Sequence, residues 1–261
     1  MRKLKHLGFF CILFLLMFGT SINTWAAAKN KWVNDNGYYY YYNGKGQKSV
    51  GLTKIGSKYY YFNKSGRQLH GWRKIDGKYH CFDRIPGAKG YMLKDVKIDR
   101  MTIDANGNAV VKTKAQQALA DVLVDYAKWA DQIVKQSWPD NTKLKAMAKA
   151  MTGHYDHRAD GANWAKNPNW HVEMAMESYI RHLNGAIYEC QRWACAFSYL
   201  AVACGFKNVT LHIGGEDHGW TSIGKRMFNP TGMMNGKLAE FTAAQQKENK
   251  QWQNVKAFKL N

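Results

Sequence analysis

The sequence predicts an α+β protein, a small β-hairpin repeat array followed by a domain of helices packed on an antiparallel sheet. Three observations predict it. Aromatic residues recur about every twenty positions from residue 29 to about 93. From Ala115 onward the apolar spacing becomes helical. Beyond Cys190 a helical pattern gives way to a strand and a hairpin that carry His218 and Asn229. At 261 residues, 46% of them hydrophobic, the chain has room for one medium domain and something smaller.

Residues 1–28 have the parts of a secretory leader. Arg2, Lys3 and Lys5 make a basic start, Leu7 to Phe18 an apolar core, and Ala26-Ala27-Ala28 a small-residue cleavage site. The core is shorter than the roughly 20 residues a membrane span needs. The expectation is a secreted chain, extracellular or wall-associated, with no membrane span after cleavage. Formal charge is +19, and a chain cut after residue 28 keeps +16. So basic a balance favours polyanionic surroundings, and export points to an anionic cell wall rather than nucleic acid. Beyond the leader Cys81, Cys190, Cys195 and Cys204 lack CxxC spacing, so no zinc site or dithiol redox pair is indicated. A disulfide from Cys81 stays open.

Residues 29–93 align with themselves in rows of twenty. Gly51-Leu52 matches Gly71-Trp72, and Lys54-Ile55 matches Lys74-Ile75. Tyr39, Tyr59 and Tyr79 share a column, as do Tyr42, Phe62 and Phe82, then Asn43, Asn63 and Asp83. A fixed period of this length marks a stacked array. Each unit reads as two short strands around a turn such as Asp76-Gly77, a strong hairpin signal. Gly71-Trp72-Arg73-Lys74-Ile75-Asp76-Gly77-Lys78-Tyr79 resembles the cell-wall-binding, choline-binding-type repeats of Gram-positive surface proteins. The resemblance implies that rings from adjacent hairpins hold a wall ligand, with Trp32, Tyr39, Tyr59, Trp72 and Tyr79 the candidates. Leu52 departs from the pattern, standing where a Trp is expected, and the third row breaks down after Asp83. The alternative is tyrosine stacking with a purely structural role. Residues 94–112 read as a degenerate repeat or linker, with a hairpin signal at Asn106-Gly107.

Residues 113–261 form the second domain. Leu119, Val122, Leu123, Tyr126, Trp129 and Ile133 keep helical spacing up to Pro139, and Asp140-Asn141-Thr142 opens a second helix. His154 to Asp160, bracketed by Gly153 and Gly161, reads as a polar loop rather than a metal site, for want of a third ligand set. His171 to Leu183 forms a third helix. In the fourth, Cys190, Trp193, Ala194, Phe197, Leu200 and Cys204 share one face, with Cys190 in the first turn. Free N–H groups and positive potential there favour thiolate over thiol. A two-residue turn at Gly224-Lys225 sets Trp220 opposite Asn229, so Asn229 lies diagonally from His218 on one sheet face. Phe241 to Gln253 reads as a surface helix, with a last strand around Val255 to Phe258.

The run Glu189-Cys190-Gln191-Arg192-Trp193-Ala194, then His218-Gly219-Trp220 and Asn229-Pro230-Thr231, resembles the transglutaminase-like superfamily over residues 140–232. The resemblance implies a papain-like fold, Cys190 as nucleophile, His218 as general base and Asn229 in the position of the orienting Asp. It implies thiol acyl transfer on protein or peptide amides, by crosslinking or hydrolysis, without cofactor or metal. Asn229 departs from the family. An amide orients an imidazole but cannot stabilise the imidazolium by charge. Glu189 departs too, since a carboxylate there opposes a thiolate. His212 is the alternative base. The competing reading is a non-catalytic wall-binding protein built on a degenerate scaffold, its partner a teichoic acid or glycan.

Overall fold

The structure is a computed structural model that describes residues 28–152, 169–183, 190–214, 218–233, 235–248 and 255–261. Most of the expected leader, the loop at residues 154–160, and Glu189 lie outside these residues.

The N-terminal half is a run of antiparallel hairpins. They are β1 (Lys31–Asp35) with β2 (Tyr38–Tyr42), β3 (Gly51–Ile55) with β4 (Lys58–Phe62), β6 (Gly71–Ile75) with β7 (Lys78–Phe82), and β8 (Val96–Ile98) with β9 (Met101–Ile103). The short β5 (Gln68–Leu69) adds to β4. Two-residue turns that pair their flanks closely need positive φ, and Asp76 (φ 48°) and Gly77 (φ 77°) supply it.

The Asn43, Asn63 and Asp83 column has a physical cause. Asn43 Oδ1 accepts from the backbone N–H of Lys45 and Gln47, Asn63 Oδ1 from those of Ser65 and Arg67, and Asp83 Oδ1 from that of Ile85. These Asx turns return the chain to its hairpin after every unit. Asp104 does the same, accepting from the N–H groups of Asn106 and Asn108.

Residues 94–112, expected as a worn joint, therefore hold a further complete unit. Its hairpin turns at Asp99-Arg100, and Asn106-Gly107 is the return turn, leading to one bridge between Ile103 and Ala109. The third return is lengthened by a 3₁₀ turn at Gly87–Lys89, which moves Asp104 off the twenty-residue column and makes the unit read as degenerate in sequence.

The third and fourth hairpins are packed into the second domain. Trp72 has no exposed surface and donates from Nε1 to Asp99 Oδ2 at 2.7 Å, while Arg84 pairs with the same carboxylate oxygen at 2.6 Å. Helix α1 (Lys114–Ile133) starts at a Thr113–Gln116 capping box and covers this face. Its Asp131 accepts both contacts of Arg73 Nη2, at 2.8 and 2.9 Å, and its Asp121 accepts from Tyr79 Oη at 2.6 Å.

Helices α2 (Asp140–Ala150), α3 (Trp170–Leu183) and α4 (Cys190–Ala203) follow. The sheet has the order β13-β12-β11-β10-β14, from β10 (Val209–Ile213), β11 (Gly219–Ile223), β12 (Arg226–Phe228), β13 (Glu240–Phe241) and β14 (Lys256–Lys259). Of the surface helix expected over Phe241 to Gln253, the described residues hold α5 (Ala243–Glu248), preceded by Phe241 in β13. Every residue of α4 is buried, because the sheet covers one side and α1, α2 and α3 the others. The sequence expectation of one packed face is corrected accordingly. α4 is the central helix, and its apolar residues run all round it.

Candidate functional site

Cys190 is the first residue of α4 and is 7% exposed. Its helix is fixed to β11 by Thr221, whose Oγ1 donates to Ala194 O at 3.2 Å and lies 2.7 Å from Ser198 Oγ. Two residues earlier on the strand, Gly219 touches the first turn directly. A Cβ there would sit 2.9 Å from both Gln191 Cα and Ala194 Cβ, closer than real side chains approach, and 3.2 Å from Cys190 O. His218, its chain neighbour, is thereby carried to the same end of α4.

The β11–β12 hairpin pairs Ile223 with Arg226 and Thr221 with Phe228. Continued by one pair, that register sets Asn229 opposite Trp220, on the sheet face that His218 and His212 share. Asn229 donates its N–H to Ala239 O at 3.0 Å, and its buried Oδ1 has no hydrogen-bond partner among the described residues. Gly219 thus sets the start of β11 against the first turn of α4, whereas His218 and Asn229 belong to the sheet face opposite to Gly219 and Thr221.

His212 is differently engaged. Its ring stacks on Trp220 with centroids 5.3 Å apart and 7° between planes, and its Nε2 lies 2.8 Å from Ser222 Oγ. Burial pushes it down to about 4, so it is neutral at physiological pH. The other cysteines are free thiols without exposed surface. Burial pushes Cys81 and Cys204 up to about 12, and Cys195 upward as well. No disulfide joins Cys81 to them. Among the described residues no cluster of His, Cys, Asp or Glu is placed to hold a metal.

The five rings expected to line a wall site do not converge. Trp72 and Tyr79 are core residues under α1, Trp72 bonded to the buried Asp99 and Tyr79 holding its hydroxyl on Asp121 of α1. That placement corrects their expected role. Tyr39 is half-buried against Gly87, and Tyr59 lies with Lys54 and Lys94 each 5.9 Å from its ring centre. Trp32 alone joins an aromatic cluster, with Tyr41 at 5.3 Å, Tyr60 at 5.0 Å and Phe62 at 5.8 Å between centroids. Sequence reading missed these three partners. The cross-strand pair of Trp32 with Tyr41 was within reach of a hairpin register, whereas Tyr60 and Phe62 come from the next unit.

A cavity of about 700 Å³ lies where the array meets the second domain, at the far end of α4 from Cys190. Leu93, Ile98 and Phe206 form part of its wall, with Lys97, Lys207 and Lys259 also lining it. It is remote from the Cys190 end.

Comparison with known proteins adds one family. Residues 49–91 match the choline-binding repeat. No curated protein sequence matches the chain. Among solved structures, a choline-binding domain from Streptococcus pneumoniae is similar at 25% identity and a TM-score of 0.29, covering 33% of this chain and 99% of that one. Choline-binding protein F of Streptococcus pneumoniae, solved with a peptidoglycan analogue, is similar at 23% identity and a TM-score of 0.28, covering 31% of this chain. An alternansucrase solved with isomaltononaose is similar at 27% identity and a TM-score of 0.22, covering 32%. This chain spans 26% of choline-binding protein F and 8% of the alternansucrase. No helix among the described residues is long and apolar enough to cross a membrane.

Proposed function

We propose that this is an exported cell-wall-binding protein whose hairpin array holds it on a wall polymer, teichoic acid or glycan. The match of residues 49–91 to the choline-binding repeat carries the reading. Two further features support it. The array is strongly basic, with thirteen Lys and Arg against three Asp between residues 29 and 93. The Arg73–Asp131 ion pair also fixes its third unit to the second domain. The test is co-sedimentation of the chain from Ala28 onward with purified Gram-positive sacculi. Most of the protein should pellet at low salt. A chain that stays in the supernatant over walls of several compositions overturns the reading.

A second reading concerns the other domain, and the contact of Gly219 with the first turn of α4 favours it. In this reading the domain is transglutaminase-like, and Cys190 attacks an amide carbonyl of a protein or peptide. His218 takes the thiol proton and passes it to the departing amine, and Asn229 orients the ring through its side-chain oxygen. Water or a second amine then resolves the thioester. Backbone N–H groups at the start of α4 would steady the oxyanion. Crosslinking and hydrolysis differ only in which acceptor arrives. Alkylation of Cys190 followed against pH checks the pair. A midpoint well below the free-thiol value of about 8.5 that His218→Ala moves back upward is expected. A midpoint indifferent to His218 leaves a non-catalytic scaffold.

A further inference from the structure

The repeats of this array carry many tyrosines, and a quaternary ammonium ligand needs open ring faces. Here the protein's own cations stand over four of the tyrosine rings. Lys58 Nζ lies 3.3 Å from the ring centre of Tyr91, and Lys48 Nζ 4.0 Å from that of Tyr40. Arg67 and Lys135 stand at 4.9 Å over Tyr38. Lys54 and Lys94 each stand 5.9 Å from the ring centre of Tyr59. A trimethylammonium group approaching any of these rings would have to displace a like charge from it. The Trp32 cluster offers no box either, because Tyr60 and Phe62 are buried and the rings already pack edge-on or tilted against each other.

The same cations form an outward-facing array. Arg73 and Arg84 are spent on Asp131 and Asp99, and apart from half-buried Arg67 every other Lys or Arg of residues 29–93 is an exposed lysine. An ammonium is a compact point charge without the guanidinium fork that grips a planar carboxylate in two places. A row of such charges suits a chain of regularly spaced single charges.

Resting on the wall-binding reading above, we propose that the array takes a polyanionic phosphodiester polymer, and that its lysine-capped tyrosines exclude choline. The lysines meet successive phosphates, while the tyrosine rings beneath hold the ammonium groups in place.

Binding of the chain from Ala28 onward is measured for poly(glycerol phosphate), for choline chloride and for hyaluronate as the carboxylate polyanion. The native chain should bind the phosphate polymer, with affinity falling on the order of tenfold or more between 50 and 200 mM salt, as for other lysine–phosphate contacts. Choline should neither bind nor release it, and hyaluronate should bind more weakly. The triple variant K48A/K54A/K58A removes charge and uncovers rings, so polymer affinity should fall while choline affinity rises. Circular dichroism checks that the variant is folded, and the native-chain arms stand without it. Release from sacculi by choline, or hyaluronate binding as tightly as the phosphate polymer, overturns this inference and leaves wall binding intact. Failure to bind sacculi or any probe overturns both.

Discussion

At the scale of single residues, burial decides what each titratable group can do. His171 has no exposed surface; its Nε2 lies 2.8 Å from Arg100 Nη1 and its Nδ1 lies 2.9 Å from Tyr199 Oη. A guanidinium only donates, so Nε2 accepts and Nδ1 carries the proton. Burial and, to a smaller degree, Arg100 push this ring down to about 4, and burial with Arg73 and Arg84 pushes His70 to about 3. Folded values below the unfolded 6.5 mean that the unfolded chain binds more protons, so stability is present above pH 6.5 and lost toward pH 4. Each ring should cost on the order of 1–2 kcal/mol by pH 5. Calorimetry should show Tm dropping several degrees between pH 7.5 and pH 5, and His171→Gln should flatten part of that slope. A Tm constant over this range contradicts the assignment. The cysteines give a second residue-scale expectation. Cys81, Cys195 and Cys204 have no exposed surface, so in the native chain only Cys190 should take up iodoacetamide, the others reacting after denaturation. Peptide mass readout that finds Cys204 modified as fast as Cys190 would refute it.

At the scale of elements, the contact between α4 and β11 tests how the Cys190 end is assembled. Gly219→Val puts a branched side chain where even a Cβ meets Gln191 Cα and Ala194 Cβ at 2.9 Å. The helix start must move away from the strand, which should destabilise the fold by roughly 1–3 kcal/mol and alter Cys190 alkylation. Urea unfolding with the alkylation rate measures both, and a variant matching the native chain in each would show that the contact is not tight. Much of this level was legible in the sequence. Helical spacing located α1 and α3, and the turn at Gly224-Lys225 gave the register of β11 with β12. Two things were not legible. The fourth unit read as degenerate, with its hairpin turn at Asn106-Gly107 instead of Asp99-Arg100, because the longer return after Asp83 breaks the period. The depth of Trp72 was hidden because Trp32 and Trp72 occupy the same repeat position, and only the packing of α1 distinguishes a buried ring from a half-exposed one. A period records local structure, whereas burial is decided by elements distant in sequence.

At the scale of the whole molecule, the array and the second domain are joined by buried polar contacts rather than by a loose linker. Arg73 meets Asp131 and Arg100 meets His171 across the seam, while Trp72 and Arg84, meeting at Asp99, tie the third and fourth hairpins to each other. Removing one partner strands the other charge, so Asp131→Ala should cost on the order of 3–5 kcal/mol and lower the denaturation midpoint of the whole chain. Loss confined to the array, with a second transition left at the native midpoint, would mean that the two parts unfold independently. The candidate sites lie on different parts of this joined body, the lysine-capped tyrosines on the hairpin array and Cys190 at one end of the central helix. Hydrogen exchange with and without soluble wall fragments separates them most directly. The account predicts that added fragments protect β1 to β5 and leave β10 to β12 unchanged. Protection centred on α4 and β11, or none anywhere, would contradict it.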